Sequence, residues 1–221
     1  MFTLRQLEPR DFEAIAAISR DIYADVVPWA PAQLESHLRI FPEGQFVVTE
    51  DATGAVVGYA ATLIVFWDDY EMSGNWRDFT SHGTFENHDP ARGRTLYAAD
   101  IMVAPRVQGK GVGKLLYQAR RDLMRSRGLL RIRAGARLQG YHRLKDTLTP
   151  EAYVREVVTG RLSDATLTFQ LGRGFKVLGV VAEYMRHDPL SLGYAAVIEY
   201  LNPEVATAED YEHQRQSPYY A

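Results

Sequence analysis

The fold is decided by one stretch of sequence, DIMVAPRVQGKGVGK, which covers residues 100–114. An alternating apolar run from Leu96 to Val103 precedes the glycines and stops at Pro105, as a strand does. A helical stripe of apolar residues begins at Val112 and ends before Gly128, because glycine commonly terminates helices. The glycines therefore lie in a turn between a strand and a helix. Their amides are not shielded by a Cβ and lie at the positive end of a helix dipole, so the turn is predicted to bind a phosphorylated anion.

The spacing of the glycines separates the nucleotide-binding motifs that occur at such a turn. A P-loop needs a glycine, four residues, then Gly-Lys followed by Ser or Thr, and here Gln108 occupies the first position and Leu115 the last. A dinucleotide fingerprint needs Gly-x-Gly-x-x-Gly after an early strand, with an acid about 20 residues further on. This run is Gly-x-Gly-x-Gly, lies in mid-chain and is followed by basic residues. Neither motif fits. Two interpretations remain: the turn binds another kind of phosphorylated ligand, or it is a tight turn without a ligand.

The composition is that of one globular domain. The chain has 221 residues, of which 46% are hydrophobic and 24% charged, and none is cysteine. The lack of cysteine excludes disulfides, thiolate metal sites and a covalent cysteine intermediate. No apolar run approaches the roughly 18 residues that span a bilayer. The first residues lack the pattern of a secretory signal, so a cytoplasmic location without a membrane partner is expected.

The net charge is −3, but the basic residues are concentrated in one segment. Residues 106–145 contain twelve Lys or Arg and a single acid, Asp122. Some of these cations are predicted to contact a polyanionic cofactor, because Arg and Lys make charge-assisted hydrogen bonds to phosphate. A solvated helix face is the alternative. Nucleic acid is not expected as a partner, because the chain is acidic overall and no aromatic stacking pattern runs through the arginines.

Hydrophobic periodicity predicts the elements on either side of the glycine turn. The predicted strands cover residues 2–6, 46–50, 56–66, 96–103, 130–136, 175–181 and 194–201, and the predicted helices cover 12–24, a short segment after Pro31, 111–127, 150–158 and 164–171. Two long interruptions, residues 67–94 and 137–163, have the length of lids or binding loops. The polar tail, residues 202–221, is predicted to be loose or to dock on another subunit.

These features resemble the GNAT superfamily of acyltransferases. The resemblance is carried by Gln108-x-x-Gly111-x-Gly113 after Ile101-Met102-Val103-Ala104-Pro105, which is similar to the acyl-CoA-binding motif of that superfamily. Weaker matches are Leu7-Glu8-Pro9-Arg10-Asp11, Gly58 and Gly172-Arg173-Gly174-Phe175. The resemblance extends over residues 1–201. It implies an α/β (α+β) fold in one domain, with a central mixed, twisted sheet of about seven strands, helices on both faces, and strands 4 and 5 splayed apart.

A narrower resemblance concerns three further segments. Gly83-Thr84-Phe85-Glu86-Asn87-His88-Asp89-Pro90, Thr95-Leu96-Tyr97-Ala98-Ala99-Asp100-Ile101 and Gly140-Tyr141-His142-Arg143 are similar to the acyltransferase domain that bacteria fuse to a nitrilase-like carbon–nitrogen hydrolase. The chain is too short to hold the hydrolase as well. The resemblance therefore implies a bacterial acyltransferase half with a functional link to such a hydrolase.

The superfamily resemblance implies acetyl-CoA as co-substrate. The implied coenzyme A-binding residues are Ile101, Met102, Val103, Gln108, Gly109, Lys110, Gly111, Val112, Gly113 and Lys114. The glycine turn would hold the pyrophosphate, and amides of the preceding strand would hold pantetheine and polarise the thioester carbonyl. No metal is expected, because the acids and histidines of residues 82–89, even with His142 added, fit no familiar ligand spacing.

The expected reaction is direct attack of a primary amine, from a small molecule or a peptide, on the thioester, which needs a base. Asp100 is the first candidate, because it lies eight residues before Gln108, where many family members place an acid. A structural acid bonded to neighbouring amides is the alternative. His142 is a second candidate base or substrate contact, and Tyr141 is a candidate acid. The predicted acceptor-binding residues are Trp67, Glu86, His88 and Asp89, with capping of a turn as the alternative for the last three.

The acid that usually protonates the departing thiolate is missing. The resemblance places a tyrosine four residues before the Gly-Phe pair, where this chain has Gln170. Three alternatives follow: the thiolate leaves unassisted, a tyrosine such as Tyr97 or Tyr141 substitutes, or the protein is a non-catalytic acyl-CoA sensor or partner module. A homodimer surface is predicted at the final strand and the tail tyrosines, Tyr211, Tyr219 and Tyr220.

Overall fold

The computed structural model describes residues 1–23 and 29–220 and contains a seven-stranded sheet in the order β1-β2-β3-β4-β5-β7-β6. The strands are β1 (Phe2–Gln6), β2 (Gln45–Glu50), β3 (Val56–Val65), β4 (Thr95–Val103), β5 (Arg131–Arg137), β6 (Lys176–Val181) and β7 (Ala195–Leu201). β4 and β5 pair in parallel, and the other neighbours pair antiparallel. The predicted seven-stranded mixed sheet is confirmed.

The parallel strands β4 and β5 separate soon after they begin. Their ladder has three pairs, ending at Tyr97 with Arg133. β4 then continues to Val103 and β5 to Arg137 with no further pair between them among the described residues. A register shift against β3 bends β4 at this point, as β-bulges do. The predicted splay is therefore present, and we call the unpaired space beyond Tyr97 and Arg133 the strand gap.

Seven helices surround the sheet in the part of the chain that the structure describes. They are α1 (Phe12–Ile22), α2 (Pro31–Ile40), α3 (Trp76–Phe79), α4 (Val112–Ser126), α5 (Pro150–Val158), α6 (Leu167–Leu171) and α7 (Ala208–Arg215). The prediction for α5 is confirmed to the residue, including Thr149 as its cap. The predicted end of α1 at Ala24 lies outside the described residues. None of the described helices is long and apolar enough to cross a membrane.

Helices cover both faces of the sheet, as predicted. A Cβ on Gly58 of β3 would lie 2.7 Å from a methyl carbon of Val112, so α4 packs closely on this face. The next residue, Tyr59, points to the opposite face, because side chains alternate along a strand. There its hydroxyl lies 3.2 Å from Nδ1 of His37 on α2. The face that carries α1 and α2 is called the acceptor face below.

The first interruption, residues 67–94, is packed against the acceptor face rather than loose. Phe79 and Phe85 in it are buried, and the Phe85 ring stacks on His37 with centroids 3.7 Å apart. Burial of these aromatic rings anchors the segment, since each removes a large apolar area from water. The segment therefore forms a fixed wall beside the sheet.

The tail docks on its own chain, which differs from the prediction of a loose tail or one docked on another subunit. Gln214 of α7 donates from Nε2 to Oε1 of Glu199 on β7 at 3.2 Å, and Ser217 donates to the carbonyl of Val177 at 2.6 Å. Tyr219 is 8% exposed within the same chain. Hydrogen bonds from polar side chains leave no periodic apolar pattern in the sequence, so hydrophobicity does not reveal how this tail docks.

Candidate active site

The anion cradle (residues 108–114) lies where β4 leads into α4. Gly109 and Gly111 have φ angles of +75° and +95°, a region that glycine enters without steric cost. The first α-helical hydrogen bond of α4 runs from Leu115 N to Gly111 O at 3.2 Å, so the amides from Val112 to Lys114 are the unsatisfied donors of a helix start. Lys110 and Gly111, which precede them, are exposed. This arrangement fits a pyrophosphate.

One side of the cradle is bounded by α6. A Cβ on Gly113 would lie 3.1 Å from Cζ of Phe169, so glycine lets α4 and α6 approach closely here. Arg173 lies over the Phe169 ring, 5.1 Å from its centroid. The groove between the two helices thus presents an aromatic ring and a guanidinium next to the cradle. Both suit a cofactor that combines phosphates with an organic chain.

The basic segment is only partly a cofactor surface. Lys110 and Lys114 are exposed at the cradle, but Arg120 and Arg133 are 1% and 3% exposed. The buried arginines serve the fold, since they bond backbone carbonyls or a buried carboxylate. Neither predicted role, cofactor contact or solvated face, applies to these two.

Replacing Gly111 with alanine is expected to weaken coenzyme A binding about tenfold or more, because a strained, shifted amide loses a hydrogen bond to a charged phosphate. Gly128 gives the matched control: it also has positive φ, +60°, and like Gly111 has no atom within 4 Å of an added Cβ, but it lies beyond the other end of α4. Gly128→Ala is expected to cost similar stability and leave affinity unchanged. Calorimetric titration with coenzyme A checks both, and equal losses would contradict a specific role of Gly111.

Asp100 lies on the acceptor face, beside the strand gap. Tyr23 donates its hydroxyl to Oδ1 at 2.9 Å, and Trp29 donates Nε1 to Oδ2 at 2.7 Å. The side chain is partly buried. Burial raises the pKa of Asp100 above its usual value, while the bonds from Trp29 and Tyr23 and the charge of Arg120 oppose that rise. The backbone amide of Ile101 also bonds the Asp100 carboxylate and opposes the rise of its pKa.

Arg120 supports Asp100 from the opposite face. It reaches from α4 to the carbonyl oxygens of Ala61, at 3.1 Å, and of Asp100. Burial lowers the pKa of Arg120, and the nearby Asp100 is the carboxylate that opposes this. The guanidinium therefore fixes the bend of β4 and provides a positive charge behind the Asp100 carboxylate.

Aromatic side chains from three separate segments surround Asp100. Trp76, from the first interruption, donates Nε1 to the carbonyl of Ala99 at 2.8 Å, and its ring lies 5.5 Å from that of Trp29. Arg137 of β5 lies over the Tyr23 ring, 4.7 Å from its centroid. A carboxylate within an aromatic enclosure suits a cationic amine, because ring faces attract ammonium groups.

Sequence reasoning missed Tyr184, which lies in the strand gap. Its hydroxyl is 2.5 Å from that of Tyr97 and accepts from Gly135 N at 3.2 Å. Burial raises the pKa of Tyr184 to about 12, so the phenol is neutral at pH 7. Tyr184 belongs to the connection between β6 and β7, far from β4 and β5 in sequence. Only the glycine at position 135 hinted that a side chain approaches β5 closely.

Tyr141 and His142 do not contact Asp100 in the described structure. Tyr141 is buried and donates its hydroxyl to Leu148 O at 3.2 Å. Nδ1 of His142 lies 3.0 Å from the carbonyl oxygen of Leu190, so this nitrogen carries a proton and donates it. Both residues hold the second interruption to the β6–β7 connection. We therefore do not propose either for catalysis.

The predicted acceptor residues lie at the far end of β4 from the cradle. His88 accepts from Ile64 N at 3.0 Å and stacks on Phe41 at 4.4 Å, and burial lowers its pKa to about 4. Asp89 pairs with Arg92 at 2.7 Å. Together with Glu86 these residues line a cavity of about 270 Å³ that does not include Asp100.

Trp67, the fourth predicted acceptor residue, also serves the fold. The guanidinium of Arg133 lies 4.3 Å from its ring centroid, and the ring of Phe79 stacks on it with centroids 5.1 Å apart. The aromatic side chains that lie around Asp100 are Tyr23, Trp29 and Trp76. None of the three was among the predicted acceptor residues, because their alignment depends on how distant segments pack.

Gln170 is buried in α6, where the resemblance places a tyrosine. Its Nε2 donates to the hydroxyl of Tyr117 on α4 at 2.9 Å. The interaction joins α4 to α6 beneath the groove that starts at the cradle. No group of three or more His, Cys, Asp or Glu side chains within residues 1–23 and 29–220 is arranged to hold a metal ion.

Comparison with known proteins identifies a family and several relatives that match this chain. The pattern of the Acetyltransferase (GNAT) family matches residues 4–144. A relative from Bacillus subtilis (strain 168), "Probable hydrolase YhcX", is 33% identical over 98% of this chain, which spans 40% of that relative's length. Another from the same organism, "Uncharacterized N-acetyltransferase YkwB", is 30% identical over 90% of this chain and 88% of its own length.

A solved structure also has this fold. It is described as the GphF GNAT-like decarboxylase in complex with isobutyryl-CoA, with a TM-score of 0.71 and 20% identity over 90% of this chain and 98% of that one. The helix-start amides and the exposed lysines of the cradle suit the phosphates of such a thioester. This chain belongs to the acetyltransferase (GNAT) family and is an acyltransferase that uses an acyl-coenzyme A.

Proposed function

We propose that this chain transfers an acyl group, acetyl in the simplest case, from acyl-CoA to the primary amine of a small molecule or peptide by direct attack in a ternary complex. The observation that carries the proposal is the placement of Asp100. It lies beside the strand gap, both of its oxygens are held by Tyr23 and Trp29, and the residue is half-buried.

The chain's backbone supports the proposed acyl transfer. The cradle amides and Lys110 and Lys114 hold the pyrophosphate, and Gln108 fixes the start of the cradle by donating to Val103 O at 3.2 Å. Bound acyl-CoA supplies an activated thioester. Between Ile101 and Val103, β4 pairs with no described residue of β5, so a backbone amide that faces the gap can polarise a thioester carbonyl.

Asp100 acts as the base in this proposal. A general base works best when its pKa approaches the working pH, and burial moves the pKa of Asp100 in that direction. The donors from Tyr23 and Trp29 fix the carboxylate plane, so the remaining lone pairs point in a constant direction. Asp100 takes the ammonium proton and leaves a neutral amine to attack.

No tyrosine on α6 is available to protonate the departing thiolate. Tyr141 donates to Leu148 O, and Tyr97 is paired with Tyr184. Of the three alternatives, departure without a protein acid fits best, because a thiol has a pKa of about 8.5 and its thiolate is a stable leaving group near neutral pH.

Release of free thiol from acetyl-CoA, measured across a panel of primary amines, tests the proposed function. Transfer is expected to at least one cationic amine, with mass spectrometry confirming an amide product. Tight acyl-CoA binding without turnover on any amine would overturn the proposal in favour of a sensor. Release of carbon dioxide from a carboxyacyl-CoA without an amine would overturn it in favour of the decarboxylation named for GphF.

A further inference from the structure

The strand gap has one open end and one closed end. The cradle follows Val103, so the gap opens towards it. At the other end lies the ladder between β4 and β5, whose last pair is Tyr97 with Arg133. An acyl-CoA anchored at the cradle, as in the function proposed above, would extend along β4 with its acyl group leading. The acyl group therefore points towards the closed end.

Tyr184 fills that closed end. A Cβ on Gly135 would lie only 2.1 Å from Cζ of Tyr184, so the ring rests directly on the β5 backbone. Its hydroxyl contacts Gly135 N and the hydroxyl of Tyr97, so the side chain spans from β5 to β4. Tyr184 is 4% exposed and Tyr97 is 1% exposed. The two buried side chains therefore occupy the closed end of the strand gap.

The backbone holds Tyr184 firmly in this position. Its amide donates to Gly193 O at 2.8 Å, and its carbonyl accepts from Trp76 N at 3.1 Å. The preceding residue, Glu183, has φ of +55°, an unfavourable region for glutamate that turns the chain towards the sheet. Asp188 in the same connection is held by Arg137 at 2.7 Å. The surrounding fold therefore holds Tyr184 at the closed end of the strand gap.

We propose that Tyr184 sets the length of the acyl group, admitting short acyl groups such as acetyl and excluding medium chains such as octanoyl. The inference rests on the proposed function only for the direction in which the acyl group points. It assigns the β6–β7 connection to acyl selection, whereas Asp100 and its aromatic neighbours select the amine. Tyr97 positions the Tyr184 hydroxyl through their mutual hydrogen bond.

Calorimetric affinities for coenzyme A and for its acetyl, butyryl, hexanoyl and octanoyl thioesters test the proposal without any amine. In the unaltered protein, affinity is expected to fall by at least about tenfold from acetyl to octanoyl, the size of one lost favourable contact. In Tyr184→Ala, each methylene that enters the vacated space is expected to raise affinity by up to about fourfold. Affinity for coenzyme A itself is expected to be unchanged.

Two further variants keep the test decisive. Tyr184→Phe retains the ring and is expected to retain the preference for short chains. Tyr184→Leu keeps an apolar side chain of shorter reach and replaces the alanine variant if that one does not fold, with unchanged coenzyme A affinity as the check on folding. Equal binding of octanoyl and acetyl thioesters by the unaltered protein, or an unchanged ranking in both Tyr184→Ala and Tyr184→Leu, would overturn the proposal. A shifted ranking without transfer to any amine would overturn only the proposed function.

Discussion

Replacing Asp100 with asparagine is expected to lower kcat/KM for acyl transfer by about 10²- to 10⁴-fold, the range that a positioned base contributes. Asparagine has nearly the same shape and can still accept a bond from Tyr23 or Trp29, but it cannot take a proton. Initial rates of thiol release give the measurement. Asp122→Asn is the matched control, because Asp122 is an exposed acid on α4 that accepts from Gln118; its rate is expected to be unchanged.

The pH dependence of the same reaction tests more specifically whether Asp100 is the general base. The base must be ionised, so kcat/KM is expected to fall as pH drops through the pKa of Asp100. Burial raises that pKa, so the acid limb lies at higher pH than for an ordinary aspartate. In folding, the same shift means that ionising Asp100 costs stability as pH rises. Asp100→Asn is expected to lack the limb, and a variant that keeps it would assign the base to another group.

Replacing Glu199 with alanine is expected to lower the free energy of unfolding by about 3–5 kcal/mol, as removal of one partner from a buried ion pair does. Glu199 is 1% exposed and accepts from Nε of Arg133 at 2.8 Å, with Arg131 at 3.7 Å. Alanine would leave the Arg133 charge buried without a carboxylate. It would also release Gln214, which ties α7 to the sheet. Urea unfolding followed by circular dichroism gives the measurement.

An exposed ion pair of the tail gives the control for Glu199. Glu212 and Arg215 form a pair at 2.9 Å on the surface of α7, and exposed pairs contribute about 0–1 kcal/mol. Glu212→Ala is therefore expected to change stability little. Joint replacement of Glu199 by leucine and Arg133 by methionine is expected to recover most of the loss, because no unpaired charge remains. If Glu199→Ala lowers the free energy of unfolding by less than about 1 kcal/mol, the idea that it leaves the Arg133 charge buried and unpaired is wrong.

The local sequence was sufficient to predict the cradle and most of the helices and strands. A cradle forms from consecutive residues, since its amides, its positive φ angles and its helix dipole all arise within residues 108–114. Helix caps act over the same short range, which is why Thr149 and the bounds of α5 could be predicted. The position of Asp100 also followed from spacing along one strand. Its role as the base remains a prediction.

The acceptor side could not be predicted in the same way. Tyr23 and Trp29 precede Asp100 by 77 and 71 residues, so their hydrogen bonds depend on the packing of α1 and α2 on the sheet. Glu86, His88 and Asp89 are polar residues grouped in sequence, which favoured an acceptor site. In the structure His88 and Asp89 bond the backbone of β3 at Ile64, which agrees with the turn-capping alternative.

The sequence by itself determined the conformation of the glycine cradle and the strand that carries Asp100, because backbone conformation and helix polarity are set by neighbouring residues. Tertiary structure alone decided what surrounds that acid and what ends the strand gap. Tyr184 reaches Tyr97 across 87 residues of sequence, and its place depends on the point at which β4 and β5 part. Contacts of that kind follow from how whole elements pack, and no local pattern encodes them.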